Sequence, residues 1–217
     1  RFRHSSIVRV FRVFEANSTV YMVMEFENGP SLESWLKGLG RPPSQDELDH
    51  LLHPILDALE LMHAEDFLHR DIAPDNIIIR KDMAPVLLDF GAARKTVATK
   101  THAMTGMFKP GYSPQEQYSA DGKHQGPWSD FYALGATLYR AVTGIPPEDA
   151  PTRGIHDGMP PAGKAAKATY RTAFLEGIDA CLKVHPSERP QTAFQAREVL
   201  FKVDSPRPGP RADEPAI

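Results

Sequence analysis

Three polar residues near the middle of the sequence, Asp71, Asn76 and Asp89, could together hold a cation and accept a proton. They belong to the stretch His69-Arg70-Asp71-Ile72-Ala73-Pro74-Asp75-Asn76 and, thirteen positions after Asn76, to Asp89-Phe90-Gly91. The side-chain oxygens of Asn76 and Asp89 suit a hard cation such as Mg²⁺, which takes oxygen ligands from protein, water and phosphate. Asp71 is a carboxylate that could accept the proton of an attacking hydroxyl group.

Two short apolar runs, Ile77–Ile79 and Val86–Leu88, must position these side chains. The polar residues between them, Arg80–Pro85, are typical of a turn, so the runs are predicted to pair as a short hairpin. This pairing brings the end of the first strand beside the start of the second, and with it Asn76 beside Asp89.

The ordered set of residues resembles the catalytic motifs of the protein kinase superfamily, specifically of bacterial serine/threonine kinases of the eukaryotic-like type. The resemblance implies an α+β, protein-kinase-like fold, with a mostly helical large lobe and a remnant two-strand hairpin of the small lobe. It also implies transfer of the γ-phosphoryl group of Mg-ATP to Ser/Thr hydroxyls of a protein. The residues it assigns around the catalytic loop are the catalytic Asp71 and Asn76, the metal ligands Asn76 and Asp89, and the structural His69, Arg70, Phe90 and Gly91. Pro74 and Asp75 favour a serine/threonine enzyme over a tyrosine kinase.

The first part of the chain is predicted to be the end of the small lobe and the hinge, residues 1–27. Ile7–Phe14 and Val20–Phe26 alternate as two strands joined by a polar turn. In the resemblance these are the fourth and fifth small-lobe strands. The nucleotide-binding residues that it implies are Met24 behind the adenine, Glu25 and Glu27 in the hinge, Ser31 at the ribose, and Ile78.

Residues 28–203 are predicted to be the large lobe. Ser31–Lys37 is a short helix, and Ser44 with Glu47 forms a capping box before a long helix with an apolar face. Further helices are predicted at 129–142, 172–184 and 192–203, whereas Ala150–Lys167 is Pro/Gly/Ala-rich and is interpreted as a surface excursion. From residue 204 to 217 the composition is typical of a disordered tail or linker.

The segment after Gly91 corresponds in the resemblance to the activation segment, closed at Ser113-Pro114-Gln115-Glu116. Glu116 is expected to pair with Arg189, and Asp130 to accept backbone N–H bonds from the catalytic loop. The candidate phosphorylation sites are Thr96, Thr99, Thr101 and Thr105. A phosphate on one of them would be received by Arg70, with Arg94 as a second candidate.

The sequence departs from the family pattern at Ala73, where serine/threonine kinases usually carry a lysine that contacts the transferring phosphate. Lys109 lies where the family usually has a threonine bonded to the catalytic aspartate and to that lysine. We expect the Lys109 ammonium to lie beside Asp71 and to do the electrostatic work of the absent lysine. The alternative is a solvated loop lysine.

Composition excludes several other classes of protein. With 41% hydrophobic and 24% charged residues the chain is an ordinary globular one, and a net charge of −3 gives no case for nucleic acid as a partner. No apolar run approaches the roughly 20 residues of a membrane span. The single cysteine, Cys181, fits a reducing compartment, so we expect a cytoplasmic protein or the cytoplasmic part of a longer, membrane-anchored one.

Several kinase parts are absent from the sequence. No G-x-G-x-x-G precedes Ile7, and no lysine precedes Lys37, so the glycine-rich loop, strand lysine and helix glutamate are missing. We therefore expect a fragment of a longer kinase, inactive by itself. Two alternatives stay open: a non-catalytic pseudokinase or scaffold, and a small-molecule phosphotransferase of the aminoglycoside or choline kinase type.

Overall fold

The computed structural model describes residues 3–17, 19–88, 108–119 and 124–204. Asp89, Phe90, Gly91, Arg94 and the four candidate threonines lie outside the described residues, as does the tail from 205 to 217. Asp204, expected to begin that tail, is bound to the folded lobe: its carboxylate accepts hydrogen bonds from the backbone N–H groups of Thr172 and Ala173.

Two antiparallel strands form a small sheet at the N-terminal end. β1 (Val10–Ala16) pairs with β2 (Thr19–Met24) around a turn in which Asn17 adopts φ 52°. The first strand was expected to begin at Ile7, but Ile7 and Val8 are not part of this sheet. They are buried against the large lobe, where the Val8 N–H donates to Leu87 O at 3.0 Å. Burying their apolar side chains there removes more apolar surface from water, and so stabilises the fold more, than a place on the exposed sheet would.

The predicted hairpin is present and is tied to the hinge. β3 (Ile77–Ile79) pairs antiparallel with β4 (Pro85–Leu87), and Leu88 N donates to Asn76 O at 2.8 Å. Ile79 N donates to Pro30 O at 2.9 Å, which draws the hinge against β3. The contact is so close that a Cβ on Gly29 would lie 2.1 Å from Ile79 O, so only glycine fits there.

Two helices follow the hinge at the predicted places. α1 (Leu32–Gly38) is capped by the Ser31 side chain, and α2 (Gln45–Ala64) begins with the expected capping box of Ser44 and Glu47. One face of α2 is buried in the core through Leu48, Leu51, Leu52, Ile55, Leu56, Ala58, Leu59 and Met62.

The core of the large lobe is α3 (Pro127–Thr143), which is buried along almost its whole length. α6 (Thr172–Cys181) packs on it so closely that a Cβ on Gly135 would lie 2.6 Å from Cys181 Cβ, and α7 (Ala193–Leu200) packs on α6.

The segment interpreted as a surface excursion, residues 150–167, is largely exposed, as expected, but three buried residues anchor it to this packing. It contains two short helices, α4 (Ala150–Ile155) and α5 (Ala162–Ala165), and buries Ala150, Arg153 and Ala162. Short helices of small residues give little periodicity, so the pattern hid them. None of the helices in the described ranges is long and apolar enough to cross a membrane.

Candidate active site

Asp130, in the first turn of α3, holds the loop 69–76, which corresponds to the catalytic loop in the resemblance. Its side chain is fully buried and accepts hydrogen bonds from the backbone N–H groups of His69 (2.9 Å) and Arg70 (2.7 Å). A third contact joins Asp130 Oδ2 to His63 Nε2 at 2.8 Å. Burial alone would raise the pKa of Asp130, but the His63 hydrogen bond, the neighbouring histidines and the Arg70 N–H together hold it below its ordinary value. The loop is therefore anchored by a buried, ionised carboxylate.

The loop brings Asp71 and Asn76 together. Asp71 is buried, and the Asn76 side-chain N–H₂ group donates to the Asp71 backbone carbonyl at 2.8 Å. The bond is possible because Pro74–Asn76 forms a tight 3-10 turn between the two residues. Since the amide nitrogen is used in this way, the amide oxygen Oδ1 is turned away from Asp71 and suits a cation. Asp89, the second expected ligand, lies outside the described residues.

The expected nucleotide residues lie along the hinge between the two sheets. Glu25 N donates to Arg9 O at 2.8 Å, which extends the β1–β2 pairing up to the hinge. The Glu27 carboxylate pairs bidentately with Arg80, with two N–O distances of 2.7 Å, so this side chain fixes the hinge to the β3–β4 turn. Ser31 and Ile78 are bridge partners. The Ser31 hydroxyl accepts from Ser34 N while it caps α1, so it has a structural task as well.

Glu116 and Arg189 form the buried, bidentate ion pair that the resemblance implies. Arg189 Nη1 lies 2.7 Å from Glu116 Oε1, and Nη2 lies 3.3 Å from Oε2. Ser129 donates its hydroxyl to Glu116 Oε1 at 2.7 Å, and the Arg189 guanidinium also lies over the Tyr132 ring. Every charged atom of the pair thus has partners, which is the condition for a buried ion pair to persist.

Lys109 contacts a different carboxylate from the one expected. Its ammonium lies 3.2 Å from Asp75 Oδ2, whereas the sequence predicts a position beside Asp71. Three hydrogen bonds hold the turn that presents Lys109: Lys109 N donates to Ser113 Oγ, and Lys109 O accepts from the N–H groups of Tyr112 and Ser113. The more exposed Asp75 can accept the ammonium with little loss of hydration, whereas Asp71 is buried.

A family model described as the protein kinase domain matches residues 1–201. The chain belongs to the protein kinase domain family. The serine/threonine-protein kinase PknA of Nostoc sp. is 32% identical over 205 residues, covering 89% of this chain and 35% of the relative. PknB of Mycobacterium leprae is 32% identical over 224 residues, covering 94% of this chain and 34% of the relative.

A solved structure described as the apo form of PpkA-294 matches this kinase domain with a TM-score of 0.79 and 37% sequence identity. The match covers 92% of this chain and 69% of that chain. The fold is therefore kinase-like, as the sequence predicts. The chain spans about a third of the length of the curated relatives that it matches.

Two residues that no sequence motif singles out help to hold the catalytic loop, one through Asp130 and one directly. His63, in the last turn of α2, reaches Asp130, and Gln117, next to Glu116, donates its side-chain N–H to Arg70 O at 3.0 Å. The signal in the sequence was, in each case, a polar residue next to a residue that is buried in the structure. Such a signal does not name the partner, because the contacts span 67 and 47 positions of sequence.

Proposed function

We propose that the protein carrying this chain is a serine/threonine kinase that transfers the γ-phosphoryl group of ATP to protein hydroxyls. The observation that carries the proposal is the buried carboxylate of Asp130 holding the loop on which Asp71 and Asn76 meet. Rigid placement of polar groups is the main requirement of phosphoryl transfer, since the protein has little covalent chemistry to do.

In the proposed reaction Asp71 orients the acceptor hydroxyl and accepts its proton. The hydroxyl oxygen forms a bond to the γ-phosphorus, and the bond from that phosphorus to the bridging oxygen of the leaving ADP breaks. Asn76 Oδ1 and Asp89 would hold Mg²⁺, which neutralises charge on the phosphates when it is bound. The hinge backbone of Glu25 and Glu27 would bind the adenine edge.

The remaining residues expected at the nucleotide are proposed to shape its site. Met24 would close the back of the adenine pocket, Ile78 would contact the adenine from β3, and Ser31 would lie at the ribose. Support comes from the bridge between Ser31 and Ile78, which places these two residues side by side at the hinge.

Lys109 is proposed to supply the positive charge that Ala73 cannot. Its side chain is about one-third exposed, and its partner Asp75 is more exposed still. An ion pair of this kind contributes only about 0–1 kcal/mol, so a phosphate could draw the ammonium away from Asp75 at little cost. Ala73 is fully buried, and its methyl side chain carries no charge to the phosphates.

Arg70 is proposed to receive a phosphate from the activation segment. Burial lowers the pKa of its guanidinium, and the nearby Asp130 opposes this shift. Within the described part of the chain, Arg70 Nε is buried and has no hydrogen-bond partner. A phosphorylated threonine offers charge and acceptors to such a group.

The test is phosphoryl transfer by the full-length protein with ATP, Mg²⁺ and a panel of Ser, Thr and Tyr peptides. Asp71→Asn should nearly abolish turnover while ATP affinity stays within a few fold, whereas Asp89→Asn should impair Mg-ATP use itself. A full-length protein that binds ATP but transfers no phosphate would instead be a scaffold. Transfer only to small molecules would indicate the other phosphotransferase class.

A further inference from the structure

A cavity of about 310 Å³ opens between α1, the loop that follows it and the C-terminal end of α3. The described residues that line it include four basic side chains, Lys37, Arg41, Arg140 and Lys167, and no acidic one. None of these four residues has a role in the catalytic site described above. The feature to explain is a concave surface that presents only positive charge in a chain whose net charge is −3.

Neighbouring glutamates neutralise only part of this charge. Glu33 is shared by Lys37 (3.1 Å) and Arg140 (2.9 Å). Glu47 is bound bidentately by Arg41, at 2.8 and 2.7 Å. Four positive charges against two negative ones leave a formal charge of two positive units at the cavity.

Of these four cations, Lys167 is the one that is paired with neither Glu33 nor Glu47. It is exposed, and no carboxylate in the described ranges lies within ion-pair distance of it. Its ammonium lies at the end of α3, 2.8 Å from where a Cβ on Gly144 would be. The partial negative charge of the helix C-terminus, about half a unit, offsets only part of the ammonium charge.

One wall of the cavity is formed by α1, which also contacts the catalytic loop. α1 packs against the Pro74–Asn76 turn, and Arg140 links α1 to α3 through its pair with Glu33. Burial raises the pKa of the Tyr112 phenol to about 12, and the charges on Glu33, Arg140 and Asp75 also act on it. The helix α1 thus connects the loop that carries Asp71 with one wall of the cavity.

We propose that this basic cavity binds an acidic side chain of the acceptor protein, a few residues from the phosphorylated Ser or Thr. The inference rests on the proposed kinase activity and specifies its substrate class. A carboxylate fits because the surplus cations are lysine and arginine side chains at an open cleft, where the pair forms direct contacts while both groups stay partly hydrated. Each exposed ion pair changes an equilibrium constant by up to roughly fivefold, so the effect is on selection of substrate.

The experiment uses the full-length protein and a Thr peptide with neutral flanking residues. Asp or Lys replaces the flanking residues one at a time, and KM and kcat are measured for each peptide. Asp at one or two neighbouring positions should lower KM by roughly three- to twentyfold, and Lys at the same positions should raise it. The gain should shrink as salt is raised from about 0.05 to 0.5 M.

Charge reversal at the cavity supplies the matched comparison. Lys167→Glu should abolish the preference for Asp, whereas Lys164→Glu, a lysine three residues away and outside the cavity, should keep it. Lys37→Glu gives a second, independent reversal. Thermal melting should show that all three variants are folded, since these lysines are exposed.

Binding of a fluorescent Asp peptide to the Asp71→Asn variant gives a readout that needs no turnover. Weaker binding on adding Lys167→Glu supports the proposal. Equal binding of Asp and Lys peptides, or a preference unchanged by Lys167→Glu, overturns it. Failure of the kinase proposal looks different, because then no Ser or Thr peptide would be phosphorylated at all.

Discussion

The Gln117 side chain donates a hydrogen bond to the carbonyl oxygen of Arg70, the residue directly before Asp71. Arg70 has φ 68°, a left-handed conformation that costs a non-glycine residue on the order of 1 kcal/mol or more. Asp130 binds the Arg70 N–H on the other side. The residue before the proposed catalytic carboxylate is thus held at both its N–H and its C=O group, from α3 and from the end of the activation segment.

Gln117→Leu should therefore lower kcat. It removes the donor with little change of volume and leaves the part-buried Arg70 carbonyl without this hydrogen bond, at a cost of about 0.5–1.5 kcal/mol, so kcat should fall by up to roughly tenfold. KM for ATP should stay within about twofold, because the hinge is untouched. Gln115→Leu, at an exposed position two residues earlier, is the control and should leave kcat unchanged. Equal kinetics for the two variants would contradict the positioning role.

Lys109→Ala should lower the rate by about 10²–10³, the usual effect of losing one preorganised donor to developing charge. Asp75→Asn removes the same ion pair but keeps the ammonium, so it should have little effect. Adding Ala73→Lys to Lys109→Ala should recover part of the rate, because it returns a positive charge to the position where the family usually carries one. If Asp75→Asn were as damaging as Lys109→Ala, the ion pair itself and not the free ammonium would be what matters.

Arg189→Met should destabilise the large lobe by about 3–5 kcal/mol, because it leaves the Glu116 carboxylate buried without its partner. Arg197→Met is the matched control. Arg197 pairs with Asp57 and Glu60, whose side chains are exposed, and such pairs contribute about 0–1 kcal/mol. Urea unfolding of both variants measures the difference in free energy of unfolding. A similar decrease in the free energy of unfolding of both variants would show that the buried Glu116–Arg189 pair stabilises the lobe no more than an exposed pair does.

Gly29→Ala should raise KM for ATP several-fold and lower the melting temperature. A Cβ there would lie 2.1 Å from Ile79 O, so the hinge must move away from β3, at a cost of about 1–3 kcal/mol. Gly38→Ala, at the end of α1 with no atom within 4 Å of the added Cβ, should be neutral or slightly stabilising. Unchanged nucleotide binding in Gly29→Ala would show that the contact between Gly29 and Ile79 does not shape the ATP site.

The amino-acid sequence by itself determined the elements that depend on local signals. The capping box of Ser44 and Glu47, the hairpin after Asn76 and the buried face of α2 follow from the chemistry of residues a few positions apart. The kinase-like fold and the meeting of Glu116 with Arg189 followed from an ordered set of motifs whose spacing the resemblance supplies. These expectations needed no knowledge of how distant segments approach each other.

Only the tertiary structure decided which distant groups meet. Lys109 has a long, flexible side chain, and the placement of its turn relative to the catalytic loop brings its ammonium to Asp75. The same applies to Gln117 and Arg70, whose bond joins segments that sequence pattern treats separately. Ile7 likewise alternates as a sheet residue but is buried beside β4, because burial against an assembled lobe outweighs strand periodicity. Pairing between remote segments depends on the free energy of the whole packed lobe, which no local pattern records.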